Sequence, residues 1–332
     1  MGKRICFRYS GRLSPLTPRL EAAYTPSAKI TIRAVVNPVI WKHFTESGVT
    51  HYCGAPTVQI GIVNAPEARK LERRVTAIIA GSAPTAHLIG ELEKKNIHVT
   101  HVYGLTEVHT KTYGPFTRNH PQPDWARISL DERAKFVARQ GQAFATADEA
   151  RVVHTDSGEE LRDVPADGKT VGEIVVRGNI VMKEYFKDPE ATKKAFQGGH
   201  FWSGDLAVRY PDGTIAITDR SKDIIISGGE NASSLAIEQE LSTHPDVLEV
   251  AVVARQHPKW GERAMAFVIL HSHKAGRWKD KHSEFEKDLR EHAKKRLPGF
   301  ACPEWVEIVP ELPKTSTGKI QKNVLRGRLS KL

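Results

Sequence analysis

Apolar positions change period several times along the chain, and each change predicts an element. Residues 38–47 carry a helical stripe that stops at Gly48, and the short apolar alternation of Thr50–Cys53 follows. Val75–Ala80 is an unbroken apolar run ending in Gly81-Ser-Ala-Pro84, and Thr85–Lys95 returns to helical spacing. Ile97–Tyr103 alternates again and halts at Gly104-Leu-Thr-Glu107. Strands and helices in turn predict a parallel sheet with helices on its faces. Ligands bind in the loops at the carboxyl ends of such strands, where both Gly81–Pro84 and Tyr103–Glu107 fall.

The pattern shifts after Phe144. Short strands at Arg151–His154, Gly172–Arg177, Leu206–Arg209 and Thr214–Thr218 are separated by Asp-Ser-Gly, Ala-Asp-Gly and Pro-Asp-Gly turns, predicting an antiparallel β subdomain. The charged cluster Asp219-Arg-Ser-Lys-Asp223 then runs into a β-branched strand and the Gly228-Gly229 turn, as a hinge entering a small domain would. Beyond it Ser234–Ser242 and Glu284–Arg296 read as helices, and Val247–Ala254, Ala264–Leu270 and Trp305–Val309 as strands. The predicted fold class is α/β, in three parts. Residues 1–28 are expected to form a divergent, disordered start without sustained period, where Arg4, Arg8, Arg12 and Arg19 mix with Pro15, Pro18 and Pro26. Residues 29–219 form a part of a large domain, and 220–332 a small α+β domain.

Charge narrows the function classes less than its total suggests. The net charge is +10, but residues 1–33 hold seven Lys/Arg against one Glu, and residues 314–332 hold six against no acid. The body between is near neutral, whereas nucleic-acid proteins gather basic residues on one face, so no nucleic-acid partner is expected. No apolar run approaches a membrane span. Cys6, Cys53 and Cys302 are far apart and in no CxxC spacing, which speaks against a disulfide framework or zinc site.

Chemistry concentrates in a few motifs. In Tyr103-Gly-Leu-Thr-Glu107, Thr106 offers a hydroxyl to a phosphate and Glu107 a hard oxygen ligand suited to Mg²⁺. The small residues Gly81, Ser82, Ala83 and Pro84 let a flat ring or acyl chain approach the backbone. Asp205 in Trp202-Ser-Gly-Asp205 supplies acceptors on both oxygens, which suits a vicinal diol. Pro313-Lys-Thr-Ser-Thr-Gly-Lys-Ile320 imitates a P-loop, but that motif needs glycine at 313 and a hydroxyl at 320, where Pro313 and Ile320 stand. His98 and His101 sit three apart on a predicted strand, on opposite faces, and make a poor metal pair. No GxSxG elbow occurs.

Taken in order, these motifs resemble the AMP-forming acyl-CoA synthetases, the adenylate-forming family, from about Lys29 to the C-terminus. The resemblance implies ATP, Mg²⁺ and coenzyme A as co-substrates and cofactor, and a carboxylic acid, fatty or otherwise aliphatic, as substrate. It places Gly81–Pro84 along the adenine and acyl sites and Tyr103 against adenine, with Gly104 among the cofactor-binding residues. Thr106 falls at the phosphate and Glu107 on the magnesium, while Asp205 and Arg220 fall on the ribose. It makes Lys222 the hinge, Gly228-Gly229 the border of the pantetheine channel and Lys319 the adenylating lysine. In the family a Trp precedes and a His follows the Phe of the Asp205 segment; here His200-Phe-Trp202 reverses them, which puts local packing in question.

The family's Ser/Thr/Gly-rich phosphate loop ending in lysine does not occur in residues 1–102. The competing expectation is therefore a truncated, catalytically weak or inactive remnant that binds nucleotide or acyl-CoA, or pairs with a complete paralogue. A carrier-protein loader or luciferase-like oxidase is a third expectation. The chain ends Ser330-Lys331-Leu332, a peroxisomal address, so a peroxisomal import receptor is an expected partner and a secondary-metabolite pathway a possible setting.

Overall fold

The computed structural model describes residues 3–7, 28–32, 34–108, 115–145, 147–315 and 318–329. The terminal Ser330-Lys331-Leu332 lies outside the described residues. The chain divides into two compact units, Met1–Ile217 with Ser316–Lys319, and Thr218–Thr315 with Ile320–Leu332.

The first unit holds the parallel sheet. Strands β1 (Lys3–Phe7), β2 (Ala28–Ile32), β3 (Val49–Gly54), β4 (Val75–Ile79) and β5 (Ile97–Tyr103) run in the order β2-β1-β3-β4-β5, each neighbour parallel. β6 (Thr117–Arg118) and β7 (Gln142–Ala143) extend it antiparallel. Lys3–Phe7 is thus a paired strand within a stretch whose sequence shows no period. Helices α1 (Asn37–Glu46), α2 (Pro56–Val63), α3 (Ala86–Lys94) and α4 (Leu130–Val137) feed one core. Ile40, Trp41 and Phe44 of α1, Ile62 of α2 and Leu88, Ile89 and Leu92 of α3 join Val75, Ala77, Ile79, Ile97 and Val99. The strand residues are alternate positions, so a one-residue slip would turn that whole set away from the helices. With about 1.5–3 kcal/mol for each large side chain buried, the register is firmly held.

That register fixes where the strands stop. Gly81 follows β4 at φ 97°, a left-handed value that glycine adopts without strain. Thr85 then caps α3, its hydroxyl accepting from the Leu88 N–H at 3.1 Å. The loop 81–84 is therefore pinned between a strand end and a helix start.

The antiparallel subdomain comprises β8 (Glu149–Val153), β9 (Gly172–Arg177), β10 (Phe196–Gln197), β11 (His200–Arg209) and β12 (Ile215–Arg220), with α5 (Pro189–Ala195). The order is β10-β11-β9-β8, and β12 pairs with β11. Its buried Val152, Ile174, Val176, Phe201, Ala207 and Ile215 cluster with Tyr103, the last residue of β5.

The second unit is an α+β layer. β13 (Ile225–Ser227), β14 (Glu230–Ala232), β15 (Val247–His257), β16 (Gly261–Leu270) and β17 (Trp305–Ile308) form one sheet, order β14-β13-β16-β15, with β17 parallel to β16. Helices α6 (Ser234–Leu241), α7 (Ser272–Ala275), α8 (His282–Lys294) and α9 (Lys322–Leu329) complete it. Val250, Val252, Ala264, Ala266 and Val268 pack on Ile237 and Leu241 of α6 and Phe285, Leu289 and Ala293 of α8. The intervening Ala251, Val253, Met265 and Phe267 pack on Leu325 of α9 with Val309 and Leu312. Both sheet faces are thus covered, which is why β15 and β16 read as nearly continuous apolar runs.

Candidate functional site

In the first unit the end of β5 meets a bulge in β11. The β11–β9 register shifts between Trp202 and Leu206, and Gly204 within the bulge takes φ 72°. A residue with a Cβ would be strained there. Ser203 Oγ donates to the Ile174 carbonyl at 2.7 Å and the Gly204 N–H to Glu173 Oε1 at 2.8 Å, fastening both sides of the bulge. Asp205, only 3% exposed, receives the Tyr103 hydroxyl on Oδ2 at 2.7 Å. Residues 102 apart in sequence are so brought together at a strand end. Burial, and then the Asp205 charge, hold the Glu173 carboxyl above its ordinary range.

The reversed His200-Phe-Trp202 order is accommodated. Phe201 is in the core, Trp202 Nε1 donates to the Gln197 carbonyl, and buried His200 lies 2.8 Å from the Gly198 carbonyl and 2.9 Å from Glu149 Oε2.

Past Tyr103, Gly104 and Leu105 are half-buried and Thr106 is exposed. Glu107 is half-buried; its carbonyl accepts from the Met182 N–H and its Oε1 from the Tyr185 hydroxyl at 3.2 Å. Burial and the Glu107 charge push the Tyr185 hydroxyl above its usual pKa, which keeps it a donor. Tyr185 escaped the sequence reading because it lies in a polar stretch with no motif. Gly81 and Ser82 are exposed and Pro84 is buried, so the loop offers its backbone at the neighbouring strand end.

No group of three or more His, Cys, Asp or Glu among the described residues could cage a metal. Mg²⁺ keeps several waters and is usually held by one or two carboxylates with substrate phosphates, so a lone Glu107 fits that ion. His98 and His101 part company as their spacing predicts. His101, 2% exposed, donates from Nδ1 to the Arg139 carbonyl at 2.9 Å, while His98 Nδ1 lies 2.9 Å from Glu93 Oε1.

The second unit holds Arg220, Lys222, Gly228 and Gly229. The Asp223 N–H donates to the Arg220 carbonyl at 2.9 Å, closing a turn with exposed Ser221 and Lys222 at its corners. Gly228 and Gly229, at φ 63° and 88°, make the two-residue turn between β13 and β14. Beside it lies a cavity of about 320 Å³ lined by Ser227, Gly228, Glu230, Trp260, Arg263 and Gly299 with Phe300. Arg263, 9% exposed, donates to Ser227 Oγ and to the carbonyls of Gly299, Phe300 and Cys302, setting the cavity wall. Sequence reading found the glycines but neither Trp260 nor Arg263, which lie on β16 and its approach.

Half-buried Lys319 ends a loop whose feet belong to the second unit. An isolated bridge pairs Lys314 with Ile320, and the Gln321 N–H donates to the Pro313 carbonyl at 2.8 Å. Lys314 Nζ lies 2.7 Å from Glu249 Oε2 on β15.

Comparison with known proteins bears on family and fold. The AMP-binding enzyme profile matches residues 23–186, and that of the AMP-binding enzyme C-terminal domain residues 236–319. An acetate/butyrate–CoA ligase of Arabidopsis thaliana, named peroxisomal, is 42% identical over 313 residues, covering 93% of this chain and 53% of the relative. An acetate–CoA ligase of Humulus lupulus is 44% identical over 306 residues, with 91% and 52% covered. A peroxisomal trans-cinnamate:CoA ligase of Petunia hybrida is 41% identical over 300 residues, with 90% and 50% covered. The chain spans about half the length of these curated relatives. Among solved structures, ATP-bound MatB from Rhodopseudomonas palustris superposes with a TM-score of 0.78 at 25% identity, over 98% of this chain and 60% of that one. An ATP-bound chimera of RpMatB and BxBclM reaches 0.81 at 26% identity, again over 98% and 60%.

Proposed function

Because the chain belongs to the AMP-forming acyl-CoA synthetase family, of which it carries a segment, we infer that it serves the activation of a carboxylic acid through an acyl-adenylate to its coenzyme A thioester. The observation that carries this reading is the meeting of the Tyr103 hydroxyl and Asp205 carboxylate at the end of β5, with Glu107 four residues on. Ligands of parallel sheets bind at such strand ends. Tyr103, packed against the β-subdomain core and 8% exposed, would meet adenine with what its ring leaves uncovered. Its hydroxyl orients the Asp205 carboxylate, whose acceptors suit the ribose diol.

Glu107 would hold Mg²⁺ together with the phosphates, and the ion's charge would offset that of the departing pyrophosphate. The Tyr185 hydroxyl steadies the Glu107 carboxylate for that task. Thr106 donates to the α-phosphate. Lys319 brings a point charge to the substrate carboxylate and α-phosphate, where negative charge builds in the adenylating transition state. Rotation about Lys222 then exchanges Lys319 for the Gly228-Gly229 edge, whose bare backbone lets the pantetheine arm pass.

Relatives named for acetate, butyrate and 2-methylpropanoate favour a short aliphatic acid over a long one. Several relatives named peroxisomal, with the terminal Ser330-Lys331-Leu332, support a peroxisomal location reached through an import receptor.

The test separates the half-reactions. Acid-dependent ATP–pyrophosphate exchange is measured with short aliphatic and with aromatic acids, beside thioester formation from supplied acyl-adenylate. Lys319→Ala should abolish most of the first and leave the second nearly intact. Equal loss in both would refute the assignment of Lys319 and the rotation with it.

A further inference from the structure

The residues after Lys319 lead back to the hinge. Lys322 and Arg326 stand four apart on α9, on the side that also buries Leu325. Lys322 Nζ donates to Ser234 Oγ at 2.7 Å and pairs with Glu238 Oε1 at 2.8 Å. Ser234 is fully buried, and its N–H and hydroxyl both donate to Asp219, at 2.6 Å from the N–H to Oδ2. Asp219 Oδ1 in turn accepts the Arg220 N–H at 2.7 Å. One turn along the helix, Arg326 meets Asp223 Oδ1 at 2.6 Å. The turn Arg220–Asp223 that carries Lys222 is therefore gripped on both flanks, Asp219 through Ser234 and Asp223 directly, by cations of one helix.

Three features make this grip more than surface decoration. Asp219 is 4% exposed, and the Lys322 and Glu238 side chains are 16% and 15% exposed, so solvent screens the pair weakly. Burial pushes the Glu238 carboxyl up, with the Asp219 charge adding to the effect and Lys322 opposing both. The other end of the same segment is fastened as well, because Lys314 pairs with Glu249 and Ile320 bridges to Lys314.

We propose that α9 is a strut joining the pivot to the feet of the adenylating loop, and that Lys322 and Arg326 are positioning residues that hold those feet, Pro313–Lys314 and Ile320–Gln321, to the turn carrying Lys222. The proposal rests on the ligase reading and extends it, because it ties the hinge turn to the residues that flank the Lys319 loop within the second unit. Neither Lys322 nor Arg326 touches substrate in this account. Losing either should loosen both ends of the strut together.

The test uses the full chain and hydrogen exchange, which needs no turnover. Arg326→Leu and Lys322→Met should each raise amide exchange about tenfold in two peptides together, residues 218–226 and residues 311–321, as expected when a partly buried ion pair is broken. Strands β15 and β16 should be unchanged. The exchanged pair Asp223→Arg with Arg326→Asp should restore protection in both peptides. A rise in one peptide alone, or no recovery in the exchanged pair, overturns the strut. Should the leucine variant unfold the second unit, seen as exchange throughout β15–β16, Arg326→Lys and the exchanged pair carry the test by the same criteria. In enzyme assays, Arg326→Leu should lower kcat for pyrophosphate exchange about tenfold and change thioester formation from supplied adenylate far less. Equal loss in both also overturns the strut. A parent chain with no pyrophosphate exchange counts against the ligase reading instead, and the exchange measurement then decides the strut alone.

Discussion

Adjacent glycines in one turn allow the structure to be tested one contact at a time. Gly228 and Gly229 both take positive φ, so alanine at either should cost the left-handed penalty of about 1–2 kcal/mol. Their surroundings differ. A Cβ on Gly228 would sit 2.9 Å from Trp260 Cε3, whereas one on Gly229 would meet nothing within 4 Å. Overpacking typically adds about 1–3 kcal/mol. Trp260 is 43% exposed and its ring can swing toward solvent, which puts the addition at the low end, about 1 kcal/mol.

Gly228→Ala should therefore destabilise the β13–β14 hairpin by roughly 2–3 kcal/mol and Gly229→Ala by roughly 1–2 kcal/mol. Amide exchange of residues 225–232 in the full chain reads this local stability directly. A double-mutant cycle with Trp260→Ala isolates the ring contact, because removing the indole should erase the excess at Gly228 and leave Gly229→Ala unmoved. Gly228→Ala should also slow thioester formation by narrowing the cavity beside the turn. Equal destabilisation by the two alanines, or an excess that survives Trp260→Ala, would refute the reasoning.

Two further outcomes are expected. Burial, opposed by hydrogen bonds to the Arg139, Val137 and Ala138 backbone, lowers the His101 pKa to about 4, so this residue contributes stability that is complete above its unfolded value near 6.5 and lost as pH falls toward 4. The loss is of order 3 kcal/mol across that window, and denaturant unfolding of His101→Gln should show a shallower acid slope between pH 6.5 and 4; an unchanged slope would exclude His101 as its source. A fluorescent protein fused ahead of the intact C-terminus should be punctate and become diffuse when Ser330–Leu332 are deleted, and a diffuse or mitochondrial signal from the intact fusion would refute the peroxisomal reading.

What the sequence revealed depended on the range of the force responsible. Ile97–Tyr103 was legible to the residue, because period-two burial on one face is written in seven consecutive positions. The helix Pro56–Val63 was not, since apolar residues lie all around it and leave no stripe to read. Leu130–Val137 is marked in the sequence only at its start, where Ser129 and Glu132 form a capping box, because its apolar pattern is weak. The strand Lys3–Phe7 owes its place to parallel pairing with two other segments, an interaction with no local mark.

The same division runs through the candidate site and has a consequence for mutagenesis. The residues proposed to carry chemistry, Glu107, Asp205 and Lys319, stand out in the sequence because each lies in a motif with distinctive neighbours. Their supports, Tyr185 on Glu107, Glu173 on Gly204, and Lys322 and Arg326 across the hinge turn, are ordinary polar residues from distant segments. They are selected only for reach and charge, and a sequence alone does not record reach. A support can therefore be exchanged for another residue of the same charge and length with less harm than any group it supports. Tyr185→Phe, which keeps the ring and removes only the donor to Glu107, should weaken the Mg²⁺ dependence of pyrophosphate exchange without lowering thioester formation from supplied adenylate. Glu107→Gln should abolish the exchange outright. If the two substitutions were equally damaging, the tyrosine would belong to the chemistry itself, and the proposed distinction between a reacting group and its support would fail at this hydrogen bond.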